Sequence, residues 1–160
     1  MRQLLLLDCD GTIREPIQGK WIDTPRNQRA IPGTAEAITK ASSAGWTIIG
    51  ITNQGGVAAG HKSLNDAIKE QLYTLELFPQ MEKIYFCPDF EGEICWCIHE
   101  EQVQIWRSLL PRPSRETYKK FRKPEPGMIE LALDWLGEIP EKFGMWAIAM
   151  KMPWQQLPLE

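Results

Sequence analysis

The sequence has no long hydrophobic run. Its most apolar opening stretch, Leu4-Leu5-Leu6-Leu7, is closed at once by Asp8, far short of the roughly 20 apolar residues that span a bilayer. That stretch is also too short for a secretion signal, and an acid interrupts it. The expectation is a soluble protein of the cytoplasm with no membrane partner. Positive charge is not in excess: Lys+Arg 18 against Asp+Glu 21 leaves a net charge of -3. That excludes nucleic-acid binding driven by overall charge, though not a small basic site. Cysteine is sparse, 4 in 160 residues. In a reducing compartment such thiols suit free side chains or a metal site better than disulfides. Neither Gly-x-Gly-x-x-Gly nor Gly-x-x-x-x-Gly-Lys-Ser/Thr occurs, which removes a dinucleotide-binding domain and a P-loop kinase from the candidates. There is no internal repeat and no low-complexity tract. What remains is ordinary for one globular domain, with 43% hydrophobic and 24% charged residues and enough length to bury a core.

The pattern along the chain alternates strands with helices. Leu4–Leu7 is apolar on every side and suits a central parallel strand, buried on both faces. Thr34–Ala44 reads as a helix with Thr34 as its cap and Ala35, Ile38 and Ala41 on one face. Trp46–Ile51 is a second buried strand. Ser63–Leu75 places Leu64, Ala67, Ile68, Leu72 and Leu75 at helical spacing. Lys83–Cys87 is a third strand, and Gly127–Leu136 a third helix with Ile129, Leu133 and Leu136 inward. Arg14–Pro32 reads as a long irregular connection, and Cys87–Arg122 shows no clear period. Alternation of this kind argues an α/β fold with a mainly parallel sheet and helices on both faces. Ligands of such sheets sit off the carboxyl ends of the strands, where Asp8, Thr52 and Cys87 fall.

Asp8-Cys9-Asp10-Gly11-Thr12 follows the first strand. Residues i and i+2 of an extended chain project from one side, so two carboxylates meet at the mouth of the sheet. Such a pair is costly unless a cation or a shared proton relieves it. One carboxylate can attack phosphorus while the other acts as acid and base. Thr52-Asn53-Gln54 after the second strand offers a hydroxyl, an amide and backbone N–H groups to phosphoryl oxygens. Arg122-Lys123-Pro124-Glu125-Pro126-Gly127-Met128 stiffens a loop that delivers Lys123 to a helix start, where it can balance phosphoryl charge. Taken singly, each segment is equally good turn or surface chemistry. Cys9 is expected to point back into the sheet as a small buried side chain, and His61 to lie at the surface.

In this order the three segments resemble the haloacid dehalogenase (HAD) superfamily of aspartate-nucleophile phosphatases. Asp8–Thr12 stands for its Asp-x-Asp-Gly-Thr, Thr52 for its second motif, and Lys123–Met128 for Lys-Pro-x-Pro-Gly-Met. The wording is similar to the branch (subclass IIIA) that holds histidinol-phosphate, heptose-bisphosphate and polynucleotide 3′-phosphatases. The resemblance implies a Rossmann-like three-layer α/β/α sandwich forming a single domain over residues 1–160. It implies Asp8 as nucleophile forming an aspartyl-phosphate and Asp10 as the acid and base. Mg²⁺ would be held by Asp8 and the backbone carbonyl of Asp10, and phosphate by Thr52, Asn53 and Lys123. The substrate would be a small phosphorylated metabolite or a nucleic-acid 3′-phosphate. Cys87, Asp89, Cys95 and Cys97 are similar to a zinc loop of that branch, with Asp89 at a histidine position and His99 as a substitute. About two dozen residues, however, separate Cys97 from Lys123, where the branch has almost none.

The chain departs from the family after residue 142. The fourth motif, a strand followed by Gly-Asp and a second Asp, is missing, and Asp134 falls within a helix. Met145-Trp146 can only be encoded ATGTGG, and skipping its first two bases yields GTG GGC, Val-Gly, whatever codon Ala147 uses. The shifted frame can continue Asp-Arg-x-Glu-Asp-Ala-Val-Ala-Ala, which matches the missing motif. We read residues 143–160 as an atypical tail whose frame slips just before Met145; the alternative is a genuine divergent terminus. Without the family's last strand, Leu4–Leu7 would become an exposed apolar edge, and Phe143–Met150 is apolar enough to replace it. The competing function is a crippled relative that binds a phosphorylated ligand with little or no turnover.

Overall fold

The structure, a computed structural model, describes residues 2–100, 102–112 and 117–146. Among these residues the elements run β1 (Gln3–Asp8), β2 (Arg14–Glu15), β3 (Arg29–Ala30), α1 (Thr34–Ser43), β4 (Trp46–Asn53), α2 (Leu64–Leu77), β5 (Lys83–Cys87), β6 (Ile94–His99), β7 (Gln102–Arg107), α3 (Gly127–Leu136) and β8 (Lys142–Trp146). A six-stranded sheet has the order β7-β6-β5-β4-β1-β8. The pairs β5–β4, β4–β1 and β1–β8 are parallel, while β6 and β7 add an antiparallel hairpin at one edge. The mainly parallel α/β sandwich is the architecture expected from the alternation of strands and helices.

The apolar runs explain the layering. Leu4 and Leu6 of β1 enter a core shared with Ile49, Ile51, Tyr85 and the α3 residues Met128, Ile129 and Leu136. Leu7 faces the other way, towards Ile38 of α1, Ile48, Phe78 and Ile84. Further along that second face, Ala67, Ile68 and Leu72 of α2 cover Phe86 and Ile98. Central strands buried on both sides must be apolar at successive positions, and each fully buried leucine contributes about 1.5–3 kcal/mol.

The structure corrects four local readings. The connection Arg14–Pro32 is not wholly irregular, because Arg14–Glu15 pairs antiparallel with Arg29–Ala30. Gly33, in a left-handed conformation, occupies the N-cap of α1. Thr34 instead turns its hydroxyl to the carbonyls of Ile13 and Ile31, and Ala35 is exposed. The stretch after Cys87 contains the β6–β7 hairpin, whose outer strand is exposed along most of both faces. The sequence of that outer strand alternates, Gln102-Val103-Gln104-Ile105, but Val103 and Ile105 lie on the exposed side while Trp106 packs against the core, so the alternation does not report burial.

At the other edge, Lys142–Trp146 pairs with β1 in parallel register, with Leu4 opposite Phe143 and Leu6 opposite Met145. The replacement strand expected from the apolar tail is present over these residues, and Phe143 and Met145 pack against the α3 core. Residues 147–160, which hold the rest of the frame-slip reading, lie outside the described residues. Among the described residues no helix is long and apolar enough to cross a membrane.

Candidate active site

The carboxyl ends of β1 and β4 lie side by side, with Asp8 opposite Ile51. Asp8 is buried, and Lys123 reaches it from 115 residues away: Nζ donates to Asp8 Oδ1 at 2.5 Å and to the Ile51 carbonyl at 3.0 Å. The loop carrying Lys123 is clamped by Asn53. The Lys123 N–H donates to Asn53 Oδ1 at 2.9 Å, and Asn53 Nδ2 donates back to the Lys123 carbonyl at 3.1 Å. The side chain read in the sequence as a phosphate ligand thus has both its polar atoms on the lysine loop. Its geometry is that of a brace for Lys123.

Asp10 faces a different set of partners. Arg14 Nε donates to its Oδ1 at 3.0 Å. Its Oδ2 accepts from Thr52 Oγ1 at 3.2 Å and from Gln54 Nε2 at 2.9 Å. Burial works to raise the Asp10 pKa, but the Arg14 charge and hydrogen bond, with Lys62 and Thr52, hold it below the usual carboxylate value. The two acids therefore coexist because each has its own cation, Lys123 for Asp8 and Arg14 for Asp10.

Asp10, Arg14 and Gln54 form part of the wall of a pocket of about 950 Å³, which Lys62, His61 and Arg122 also line. Two exposed rings, Trp21 and Phe90, stand in the same wall. Lys20 lies over Trp21 and Arg122 over Phe90, at 5.0 and 5.2 Å from the ring centroids. Arg14, Lys62, Glu70 and Gln28 were not singled out from the sequence. No local pattern marks them, because Arg14, Gln28, Lys62 and Glu70 are brought together only by the packing of α2 over the turn after β1.

The zinc reading is not supported. Among the described residues no group of three or more His, Cys, Asp or Glu is placed to hold a metal ion. The pairing of β5 with β6 puts Cys87, Cys95 and Cys97 into the apolar core. Asp89 is spent on the turn between them: it accepts from the Glu93 N–H at 2.7 Å and from Cys87 Sγ at 3.2 Å. His99 Nδ1 sits 2.7 Å from the Glu82 carbonyl. Burial pushes the Cys87 and Cys97 thiols up to about 12, Cys95 well above its usual value, and Cys9, fully buried as expected, also to about 12. The thiolate is the reactive and metal-binding form. At pH 8 the folded protein is expected to react with a disulfide reagent orders of magnitude more slowly than the unfolded chain. Rapid labelling of native protein, or near-stoichiometric zinc after purification without chelator, would contradict this burial.

Comparison with known proteins places this arrangement. No family model matches the chain. A D-glycero-beta-D-manno-heptose-1,7-bisphosphate 7-phosphatase from Rhodopseudomonas palustris is 31% identical over 147 residues, covering 89% of this chain and 71% of the relative. The enzyme of that name from Pseudomonas putida is 32% identical over 131 residues, covering 79% and 61%. The chain spans 59–61% of the length of the first curated relatives it matches. Among solved structures, a HAD-like phosphatase from Mesorhizobium loti superposes with a TM-score of 0.58 at 26% identity, covering 84% of this chain and 57% of that one. The D,D-heptose 1,7-bisphosphate phosphatase of B. bronchiseptica, complexed with magnesium and phosphate, gives 0.56 at 22% identity, covering 85% and 64%. The sheet, the paired aspartates and the lysine brought to them are accounted for together: this chain belongs to the heptose-bisphosphate phosphatase branch of the HAD-like phosphatases.

Proposed function

We propose that the chain hydrolyses a phosphomonoester of a small phosphorylated sugar through an aspartyl-phosphate on Asp8. The observation that carries this is the ammonium of Lys123 on Asp8 Oδ1 at 2.5 Å, beside a second carboxylate with separate partners. An Asp8 oxygen forms a bond to phosphorus as the bond to the leaving oxygen breaks. Asp10, which Arg14 keeps ionised in the free site, relays to that oxygen a proton brought by the phosphomonoester monoanion, then takes one from the water that attacks phosphorus and releases Asp8. Lys123 and the Thr52 hydroxyl meet phosphoryl charge, and Asn53 keeps Lys123 in place.

The residues fit Mg²⁺ in kind. The donors at the strand ends are hard oxygens, and Mg²⁺ needs only one or two carboxylates besides water and phosphate oxygens. Asp8 and the main-chain carbonyl of Asp10 would hold it, and when bound it would neutralise charge on the phosphoryl group.

Two features support a sugar bisphosphate as substrate. The curated relatives are heptose-1,7-bisphosphate 7-phosphatases. The pocket wall carries Lys62, His61 and Arg122, cationic or protonatable groups suited to a second phosphate. Phosphate release should be measured from the heptose 1,7-bisphosphate and from a 3′-phosphorylated oligonucleotide, with Mg²⁺ present. A preference for the sugar of at least about tenfold in kcat/KM is expected. A preference for the oligonucleotide would reverse the substrate assignment. Release no faster than from the Asp8→Asn variant would leave the phosphate-binding relative without turnover as the reading.

A further inference from the structure

The Asp10 carboxylate is tied to helix α2 by a closed ring of side chains. Arg14 Nε donates to Asp10 Oδ1 at 3.0 Å, and Arg14 Nη2 to Glu70 Oε1 at 2.7 Å. The other Glu70 oxygen, Oε2, accepts from Lys62 Nζ. Lys62 Nζ also donates to Gln54 Oε1 at 2.9 Å, and Gln54 Nε2 returns to Asp10 Oδ2 at 2.9 Å. Each oxygen of Asp10 is therefore held by one arm, and both arms start from Glu70.

This ring is unusual core material. The Arg14 and Glu70 side chains are 0% and 1% exposed. Arg14 Nη1 is engaged by Gln28 Oε1 at 3.2 Å and by Thr74 Oγ1, and Gln28 Nε2 donates to the Glu70 carbonyl at 3.0 Å. Burial raises the Glu70 pKa despite the opposing Arg14 and Lys62 charges. A buried ion pair is a poor source of net stability, because apolar residues of the same volume serve a core as well or better. What apolar residues could not do is hold two oxygens of one carboxylate. Asp10 itself is partly open to the pocket, so without these arms its carboxylate would be held only at Oδ2, by the Thr52 hydroxyl.

We infer that Glu70 is a positioning residue, acting through Arg14 on one side and Lys62–Gln54 on the other to aim the Asp10 carboxyl at the leaving oxygen. The inference rests on the proposed phosphatase reading. Its chemical consequence is specific. As the Asp8 oxygen bonds to phosphorus, the electron pair of the breaking P–O bond goes to the leaving oxygen, which takes the Asp10 proton. An alkoxide leaving group needs that proton; a nitrophenolate, which is a weak base, does not.

The test compares kcat/KM for 4-nitrophenyl phosphate and a simple alkyl phosphate, in wild type and in Glu70→Gln. This parameter reports phosphoryl transfer to Asp8 and excludes the later hydrolysis. The expected result is a loss on the alkyl ester at least about tenfold larger than on the nitrophenyl ester, within the roughly 10²–10⁴-fold that a placed general acid supplies. Equal losses on both esters, or none, overturn the inference while leaving the phosphatase reading intact. A wild type that hydrolyses neither ester overturns the phosphatase reading, and the inference with it. Lys62→Met breaks the second arm at a side chain 10% exposed. Should circular dichroism show Glu70→Gln unfolded, Lys62→Met is compared on the same two esters: a selective loss on the alkyl ester supports the inference, and equal losses or none overturn it.

Discussion

Asp8→Asn is expected to reduce phosphate release by at least about 10³-fold, the scale seen when a covalent nucleophile is removed. The substitution keeps the shape of the side chain and an oxygen that can still accept from Lys123 Nζ, now 2.5 Å from Oδ1. What it removes is the anion whose oxygen forms the bond to phosphorus. The fold should survive, since Leu4, Leu6 and Leu7 keep β1 buried on both faces. Steady-state assays with matched melting curves check this. An Asp8→Asn protein as active as wild type would remove Asp8 from the chemistry and the aspartyl-phosphate with it.

Gly127→Ala is expected to cost about 2–4 kcal/mol, in the range of severe overpacking. A β-carbon at Gly127 would collide with the Lys119 carbonyl oxygen and lie 2.7 Å from that of Lys120 and 2.7 Å from Phe121 Cδ1. Two of those neighbours are backbone, and the Gly127 N–H donates to the Lys120 carbonyl at 3.0 Å, so neither side can yield cheaply. For a chain of this size the loss corresponds to a fall in Tm of roughly 10 °C. The same helix provides its own control. Gly137 has a φ of 74° with nothing within 4 Å of its β-position, so Gly137→Ala should cost only about 1 kcal/mol, from backbone strain alone. Similar melting temperatures for the two variants would show that the start of α3 can move. Because Lys123 sits on the loop leading into that helix, Gly127→Ala should also weaken catalysis in whatever fraction stays folded.

The parts legible in the sequence are those whose signal is local. Leu4–Leu7, Lys83–Cys87 and Gly127–Leu136 were readable because a buried strand or an amphipathic helix writes its period into consecutive residues. Asp8, Asp10 and Thr52 were readable because each closes or follows such an element, and strand ends are where α/β folds place ligands; Lys123, on a loop before α3, was readable only through the family resemblance of Lys-Pro-x-Pro-Gly-Met. The β6–β7 hairpin was not, because the alternation of residues 102–105 puts its apolar residues on the exposed side of the outer strand. The glycine of Lys-Pro-x-Pro-Gly-Met was visible as a letter. Its reason, two carbonyls where a β-carbon would stand, was not.

By itself the sequence determined the sheet's central strands, the α/β alternation, and that two acids would gather at one end; the lysine beside them came from the family resemblance. Tertiary structure alone decided how those groups are held. Asn53 braces the lysine loop across 70 residues of chain, Glu70 reaches Arg14 across 56, and the cysteines of β5 and β6 turn into the core. No local period records such contacts, because they depend on which strand pairs with which and on what a helix buries on its polar side. A buried Glu70 looks in sequence like any solvated helix charge. Only the packing of α2 over Arg14, where neither charge has water to turn to, makes the two each other's partner.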